Sequence, residues 1–383
     1  MFYFLATGAA LIILLFLPLD RISRRRQRQR AHGRVDERDV MFARMARAEG
    51  TPEYGEYYGR RPELKNEDDR IRAMIPLYAP GSRHYHPDIT REAEDYFKAI
   101  DVVESDEARV DRLASRLIGA PDPSKTVAEM VKAMGAVDVG FAPMPQEYVY
   151  THKGRFEEDY GREVRLDHPG AIVFLVEMDY DQMRRAPRAE AIRESARQYF
   201  RAAGIAKTVE AALRAAGYDA KAHYDAHYDI ILPPLAVEAG LGEVGRNNIL
   251  IADRFGSRIR IGAVTTDMPL SWGSPVRLGA GEFCAICRKC ADNCPARALS
   301  TGLKQPVRGV EKWPTSVERC YAYWRHVGTD CGICMAVCPF SHRNNRFHNL
   351  VRRAVKLNPW IRRIALFLDD LIYGRHWKPA GPD

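Results

Sequence analysis

Hydrophobic positions are distributed unevenly along the chain, and the first run is the longest. FYFLATGAALIILLFLPL, residues 2–19, holds 18 residues and no charge. A helix of that length spans roughly 27 Å at about 1.5 Å per residue, enough for a bilayer core. No basic region precedes it and no A-x-A site ends it, so it reads as an uncleaved anchor rather than a signal peptide. Residues 31–80 are polar and rich in Arg, Glu, Tyr and Pro, the pattern of a linker followed by an irregular extended segment. Residues 90–135 show helical spacing, as in SDEARVDRLASRLIG, with Ser105 placed as an N-cap. AIVFLVEM, residues 171–178, is a short continuous apolar run, which predicts a buried strand. From Pro187 to Tyr218 apolar residues return at helical spacing, at Ile205, Val209, Ala212 and Leu213, and Gly217 stops the run. NILIA and RIRIGAVTTD (258–267) read as paired strands. Strand, helix and strand in that order predict a layered α/β core. Residues 347–375 alternate Arg with Leu, Ile, Val and Trp and predict a packed helix pair.

Charge sharpens the picture at the N-terminus. The formal net charge is +8, yet residues 1–34 carry seven arginines against Asp20, a net of +6. The other 349 residues hold the remaining +2, so the basic isoelectric point belongs to a local tail and gives no support to a nucleic-acid-binding fold. Arg24 and Arg25 follow the apolar stretch, whereas a twin-arginine leader would precede it. Arginines there are retained in the cytoplasm, so the expectation is a single-pass protein of the inner membrane whose catalytic domain faces the cytoplasm.

All eight cysteines fall between Cys284 and Cys338. Clustered cysteines in a cytoplasmic domain argue for metal rather than disulfides. The first set reads C-x2-C-x2-C-x3-C-P through Cys284, Cys287, Cys290, Cys294 and Pro295. The second reads Cys320, then Cys331, Cys334, Cys338 and Pro339. Thiolates suit both iron and zinc. Paired zinc sites would show two C-x2-C knuckles separated by a longer loop. The C-P endings match bacterial two-cluster ferredoxins, in which the fourth cysteine of a run ligates the other cluster. On that pattern one [4Fe–4S] cluster takes Cys284, Cys287, Cys290 and Cys338, and the second takes Cys320, Cys331, Cys334 and Cys294. GLGEVG, residues 240–245, satisfies G-x-G-x-x-G, but a strand-like NNILIA follows it where a helix is needed, which argues against a dinucleotide.

The ordered pieces VFLVEMDYDQMRRAP, AVEAGLGEVGRNNILIADRFGSRIRIGAVTTDMPL, both cysteine sets and PFSHRNNRFHNLVRRAVKLNPWIRRIALFLDDL together resemble the corrinoid iron–sulfur reductive dehalogenases. The resemblance covers roughly residues 75–375. It implies a nitroreductase-like α/β core holding a cobalamin, a ferredoxin-like module with two [4Fe–4S] clusters, and reductive cleavage of carbon–halogen bonds. Joined to the N-terminal reading, it divides the chain into an anchor (1–20), which departs from the family's exported members, a linker (21–75), a cobalamin-binding core (76–275), the cluster module (276–345) and C-terminal helices packed on the core (346–383). Tyr199 matches the family's proton-donating tyrosine and Arg260 the arginine beside it, with Arg258 as runner-up. Asp225 stands about where the family carries an asparagine near the substrate, a departure that leaves the substrate open. Gly240, Gly242, Gly245, Arg246 and Asn247 fall where backbone would approach the corrinoid. The implied partners are a small organic, halogenated substrate and an electron donor such as a ferredoxin, a flavodoxin or a membrane quinol, with no nucleic acid. Two other readings stand beside this one. The first is the related epoxyqueuosine reductase type, which acts on tRNA. The second is a tethered iron–sulfur electron carrier with no substrate of its own.

Overall fold

The computed structural model describes residues 33–381. The apolar stretch 2–19 and the arginines up to Arg30 lie outside the described residues. Among the described residues, no helix is long and apolar enough to cross a membrane.

The segment expected to be a linker folds. It forms α1 (Met41–Ala46), α2 (Pro52–Arg60) and α3 (Pro62–Arg72). Its sequence is too polar to announce an apolar stripe, and aromatic and ionic contacts hold it instead. Tyr54, Tyr57 and Tyr58 bury their rings against one another. The Arg44 guanidinium grips the fully buried Asp68 through two hydrogen bonds, Nε to Oδ2 at 3.0 Å and Nη2 to Oδ1 at 2.5 Å. Its Nη1 reaches Glu318 Oε1 at 2.8 Å, which ties the segment to the cysteine module.

Three helices follow: α4 (Pro87–Asp101), α5 (Glu107–Leu117) and α6 (Pro123–Ala133). The N-cap of α5 is Asp106 rather than Ser105, because the Asp106 carboxylate is the group that accepts from the Arg109 amide. The main sheet contains β1 (Asp138–Pro143), β2 (Gly170–Glu177), β3 (Ala220–His223) and a strand Ile259–Thr266, in the order β1, β2, Ile259–Thr266, β3, all antiparallel. Between β2 and β3 lie a short helix α7 (Tyr180–Met183) and the long α8 (Ala189–Ala215), after which Gly217 turns the chain at φ +93°. Every residue of β2 except Glu177 is buried, because both faces of the sheet are covered. Ile172, Phe174 and Val176 pack under α4, α5 and α8, while Ala171, Val173 and Leu175 face a second core that includes α9 (Leu232–Glu238).

One expected pairing differs. NILIA contributes β5 (Leu250–Ile251), which pairs with β4 (Glu243–Val244) and not with the RIRIGAVTT strand, β6 (Ile259–Thr266). Strand β6 pairs along its whole length with β2 on one side and over Ala263–Thr266 with β3 on the other, whereas NILIA finds its partner in the nearby Glu243–Val244. The cysteine module carries α10 (Ala280–Cys287), α11 (Lys289–Asp292), a hairpin of β7 (Gln305–Val307) and β8 (Val310–Lys312), α12 (Val317–Val327) and α13 (Ile333–Ala336). The expected C-terminal helix pair is present as α14 (Arg346–Leu357) and α15 (Pro359–Tyr373), packed on each other.

Candidate active site and cluster cradles

The cysteines sort into two groups in space. Cys284, Cys287, Cys290 and Cys338 line a single small cavity with Arg246, Phe283 and Phe340. Three of these come from α10 and α11, and the fourth arrives from the end of the second set. Cys294, from the first set, acts electrostatically on Cys320, Cys331 and Cys334 instead. The exchange of fourth cysteines expected from the C-P endings is thus built into the backbone. A left-handed turn at Arg288 (φ +57°) separates Cys287 from Cys290, and another at Cys331 itself (φ +61°) sends Cys334 onto α13. All eight are free thiols. Burial, reinforced by neighbouring cysteines, pushes Cys284, Cys287 and Cys338 up to about 12 and Cys320 to about 11. Such a set resists ionising on its own, and bound iron supplies the positive charge that turns it into thiolates. Among the described residues, no three Cys, His, Asp or Glu side chains close on one another as ligands of a single ion do. Cys284, Cys287, Cys290 and Cys338 nonetheless line one cavity, the number of ligands that a [4Fe–4S] cluster takes.

Beside the second group lies a buried polar chain. Arg260, on β6, reaches Asp330 Oδ2 with its Nη2 at 3.2 Å, and the same nitrogen donates to the Ser195 hydroxyl on α8. Asp330 immediately precedes Cys331. The Arg260 guanidinium carbon sits 4.4 Å from the centre of the Tyr199 ring, one turn further along α8. Burial raises the Tyr199 phenol above its ordinary range; Arg260 and Arg155 oppose this, while Asp225 and Asp330 add to it. The tyrosine therefore keeps its proton at neutral pH. Burial likewise raises Asp330, against the pull of Arg260. Arg260 Nε and Asp330 Oδ1 are both buried with no hydrogen-bond partner. Both atoms therefore have hydrogen-bonding capacity left for a further partner.

The structure sets Arg260 over the Tyr199 ring with Asp225 close enough to act on the phenol, and it separates the two candidate arginines. Arg258 is fully buried, with its Nε donating to Ser341 O at 2.6 Å and its Nη1 to Glu177 at 3.0 Å. It braces the turn after Cys338 and does not approach Tyr199. His223 and His227 do not converge. His223 Nε2 bonds Thr265 Oγ1 at 2.9 Å, whereas His227 stacks on Phe156 and pairs with Asp101.

The glycine turn serves the protein's own packing. A side chain at Gly240 would meet Ser274 O at 2.7 Å, one at Gly242 would meet Ile251 O at 2.3 Å, and one at Gly245 would meet the Ile251 side chain at 2.6 Å. Arg246 Nε donates to Cys284 O at 3.1 Å and its Nη1 to Ser300 O at 2.7 Å. Asn247 donates to Ser257 Oγ at 3.1 Å. Arg246 and Asn247, which also donates to Cys334 O at 3.4 Å, tie the cysteine module to the core, while the three glycines pack within the core.

Residues that sequence reasoning missed are Arg155, Tyr228, Tyr78 and Asp330. Arg155 interacts with Asp225, Tyr228 and Tyr199. Tyr78 is pushed well above its ordinary range by burial, with Asp330 and Asp225 adding to it. The one signal in the sequence was the position of Asp330 beside a cluster cysteine. The other three come from loops with no motif.

Residues 283–342 match the family described as 4Fe-4S dicluster domain. A tetrachloroethene reductive dehalogenase of Dehalobacter restrictus is 30% identical over 310 residues, which is 68% of this chain and 55% of that protein. The chain is homologous to the reductive dehalogenases. The solved reductive dehalogenase NpRdhA superposes with a TM-score of 0.68 at 26% identity, over 91% of this chain and 47% of its own. An epoxyqueuosine reductase of Lactococcus garvieae is 30% identical over 120 residues, 30% of this chain and 33% of that protein. The chain spans about half the length of the curated reductive dehalogenases it matches.

Proposed function

We propose that this protein is a reductive dehalogenase-like oxidoreductase. In this reading it passes electrons through two [4Fe–4S] clusters to a cobalamin and cleaves the carbon–halogen bond of a small organic substrate. The observation that carries the proposal is the continuous buried chain from Cys331 through Asp330 and Arg260 to Tyr199. It sets a proton donor next to a cluster ligand, an arrangement that an electron carrier with no substrate does not need. B12-dependent dehalogenation is the subject of one solved relative, which superposes at 26% identity.

The chain's own residues divide the work. Cys320, Cys331, Cys334 and Cys294 hold the cluster nearer Tyr199, and Cys284, Cys287, Cys290 and Cys338 hold the outer one, so electrons enter at the outer cluster. Tyr199, Arg155, Asp225 and Tyr228, which act on one another electrostatically, would border a bound corrinoid, and that group would supply the reduction of the carbon–halogen bond. Tyr199 delivers a proton to the carbon that loses the halogen. Arg260 stabilises the phenolate left behind, and Asp330 holds Arg260 over the ring. Arg155 and Asp225, whose charges attract each other, would orient the substrate. The electron donor is a ferredoxin, a flavodoxin or a membrane quinol, reached at the cytoplasmic side of the inner membrane, with residues 2–19 as the anchor.

The test is anaerobic purification of the detergent-solubilised chain with metal analysis. About eight iron and one cobalt per chain are expected. Zinc in place of iron, or iron without cobalt, refutes the proposal. Tyr199→Phe should keep both metals and lose turnover by roughly 10²–10⁴-fold.

A further inference from the structure

The C-terminal helix α15 is built inside out. Its buried side chains are Arg362 and Asp369. Arg362 Nε donates to Val355 O at 3.0 Å, and Asp369 pairs with the buried Lys289 and with His342. Leu366 packs on the core, but most of the large apolar residues face outward: Trp360 is 61% exposed, Ile364 58%, Phe367 66% and Leu371 71%. From α14, Phe347, Leu350 and Leu357 extend the same surface. An apolar groove runs between the two helices, and it shares Phe283, Pro339 and Phe340 with the cavity lined by the outer-cluster cysteines. An exposed apolar face of this extent marks an interaction surface.

Charge identifies the occupant. Arg346, Arg353 and Arg363 are exposed on the two helices, and Lys356 pairs with Asp253 off to the side. The two acids of α15 are turned away: Asp369 is buried, and Asp370 pairs with Lys289 and Arg375. The open face is thus apolar, and the exposed charged residues that the two helices themselves set around it are cationic. A second copy docked by two-fold symmetry would set these cations against themselves. Residues 2–19 of the same chain, if laid into the groove, would bring their trailing arginines to the same rim. An anionic phospholipid surface satisfies both parts at once, with acyl chains for the apolar side chains and phosphates for the arginines. At 15 residues α15 is about 22 Å long, too short to span a bilayer and suited to lie in its surface.

We propose that α14 and α15 rest on an anionic phospholipid bilayer, with Trp360, Ile364, Phe367 and Leu371 among the acyl chains and Arg346, Arg353 and Arg363 at the headgroups. This placement sets the outer-cluster cradle directly beneath the membrane surface. It does not depend on the reaction proposed above.

The test uses the full chain reconstituted into liposomes of phosphatidylcholine and phosphatidylglycerol in equal parts. Phe367→p-benzoylphenylalanine is irradiated and the peptide carrying position 367 is weighed. A phospholipid adduct is expected, its yield falling several-fold in phosphatidylcholine alone, while Val102→p-benzoylphenylalanine, exposed elsewhere on the protein, gives none. A crosslink to residues 2–19 or to a second copy overturns the proposal. So does the absence of a lipid adduct at 367, an equal adduct at 102, or a yield indifferent to phosphatidylglycerol.

Discussion

Replacing Arg260 with glutamine tests whether the cation over Tyr199 serves catalysis. The guanidinium carbon lies 4.4 Å from the ring centre in a buried setting. At an effective dielectric constant of about 20, a unit charge at that distance stabilises a phenolate by about 4 kcal/mol. Asp330 at 3.2 Å neutralises part of that charge, so about half, roughly 2 kcal/mol, is the expected loss. That corresponds to about 1.5 units in the acidity of the phenol, and about 30-fold in the rate of a step that moves its proton. The assay is turnover with reduced methyl viologen as electron donor. The probe is an organohalide that the unaltered protein turns over. The variant should show the rate loss, a larger solvent isotope effect, and unchanged iron and cobalt. Arg260→Gln also leaves Asp330 buried without its cation, a cost of about 3–5 kcal/mol in stability. Adding Asp330→Asn should recover most of that stability and none of the turnover. Turnover in Arg260→Gln within twofold of the unaltered protein, or its recovery together with stability in the double variant, would refute the catalytic role.

The cluster assignment predicts that Cys294→Ala has the phenotype of Cys320→Ala and not of Cys287→Ala. Iron content and paramagnetic resonance of the reduced protein decide this, each variant retaining about four iron atoms. Arg44→Met strands Asp68, which is fully buried, and should lower stability by roughly 3–5 kcal/mol, read as a drop in Tm. His223 is held neutral, since burial lowers it to about 3 and the Asp229 amide donates to its Nδ1 at 3.2 Å. Between about pH 6.5 and pH 3 the unfolded chain binds a proton that the folded chain refuses, so this histidine lowers stability as the pH falls through that window. His223→Gln should therefore lose less Tm than the unaltered protein on going from pH 7.5 to pH 5.5; equal losses would show that His223 does not titrate on unfolding.

The sequence by itself determined what depends on local spacing. Cysteine intervals and the two C-P endings pointed to a pair of [4Fe–4S] clusters, and they suggested the exchange of fourth ligands. The buried strand near residue 172, the long helix ended by Gly217 and the C-terminal pair were legible because periodicity and chain stops act within a few residues. Tertiary structure decided whatever depends on partners far apart in the chain. Residues 41–72 fold because Arg44 finds Asp68 and Glu318, a contact that hydrophobic patterning does not encode. Arg258 and Arg260 are two residues apart on one strand and indistinguishable by type; only the packed sheet gives one to a turn and the other to Tyr199. The glycines of residues 240–245 serve close approach of backbone to backbone, since the atoms that would meet a side chain there come from residues 250, 251 and 274 as well as the neighbouring Asn247. Burial and long-range charge act through space, and so the acid–base character of the site emerged only when the chain was folded.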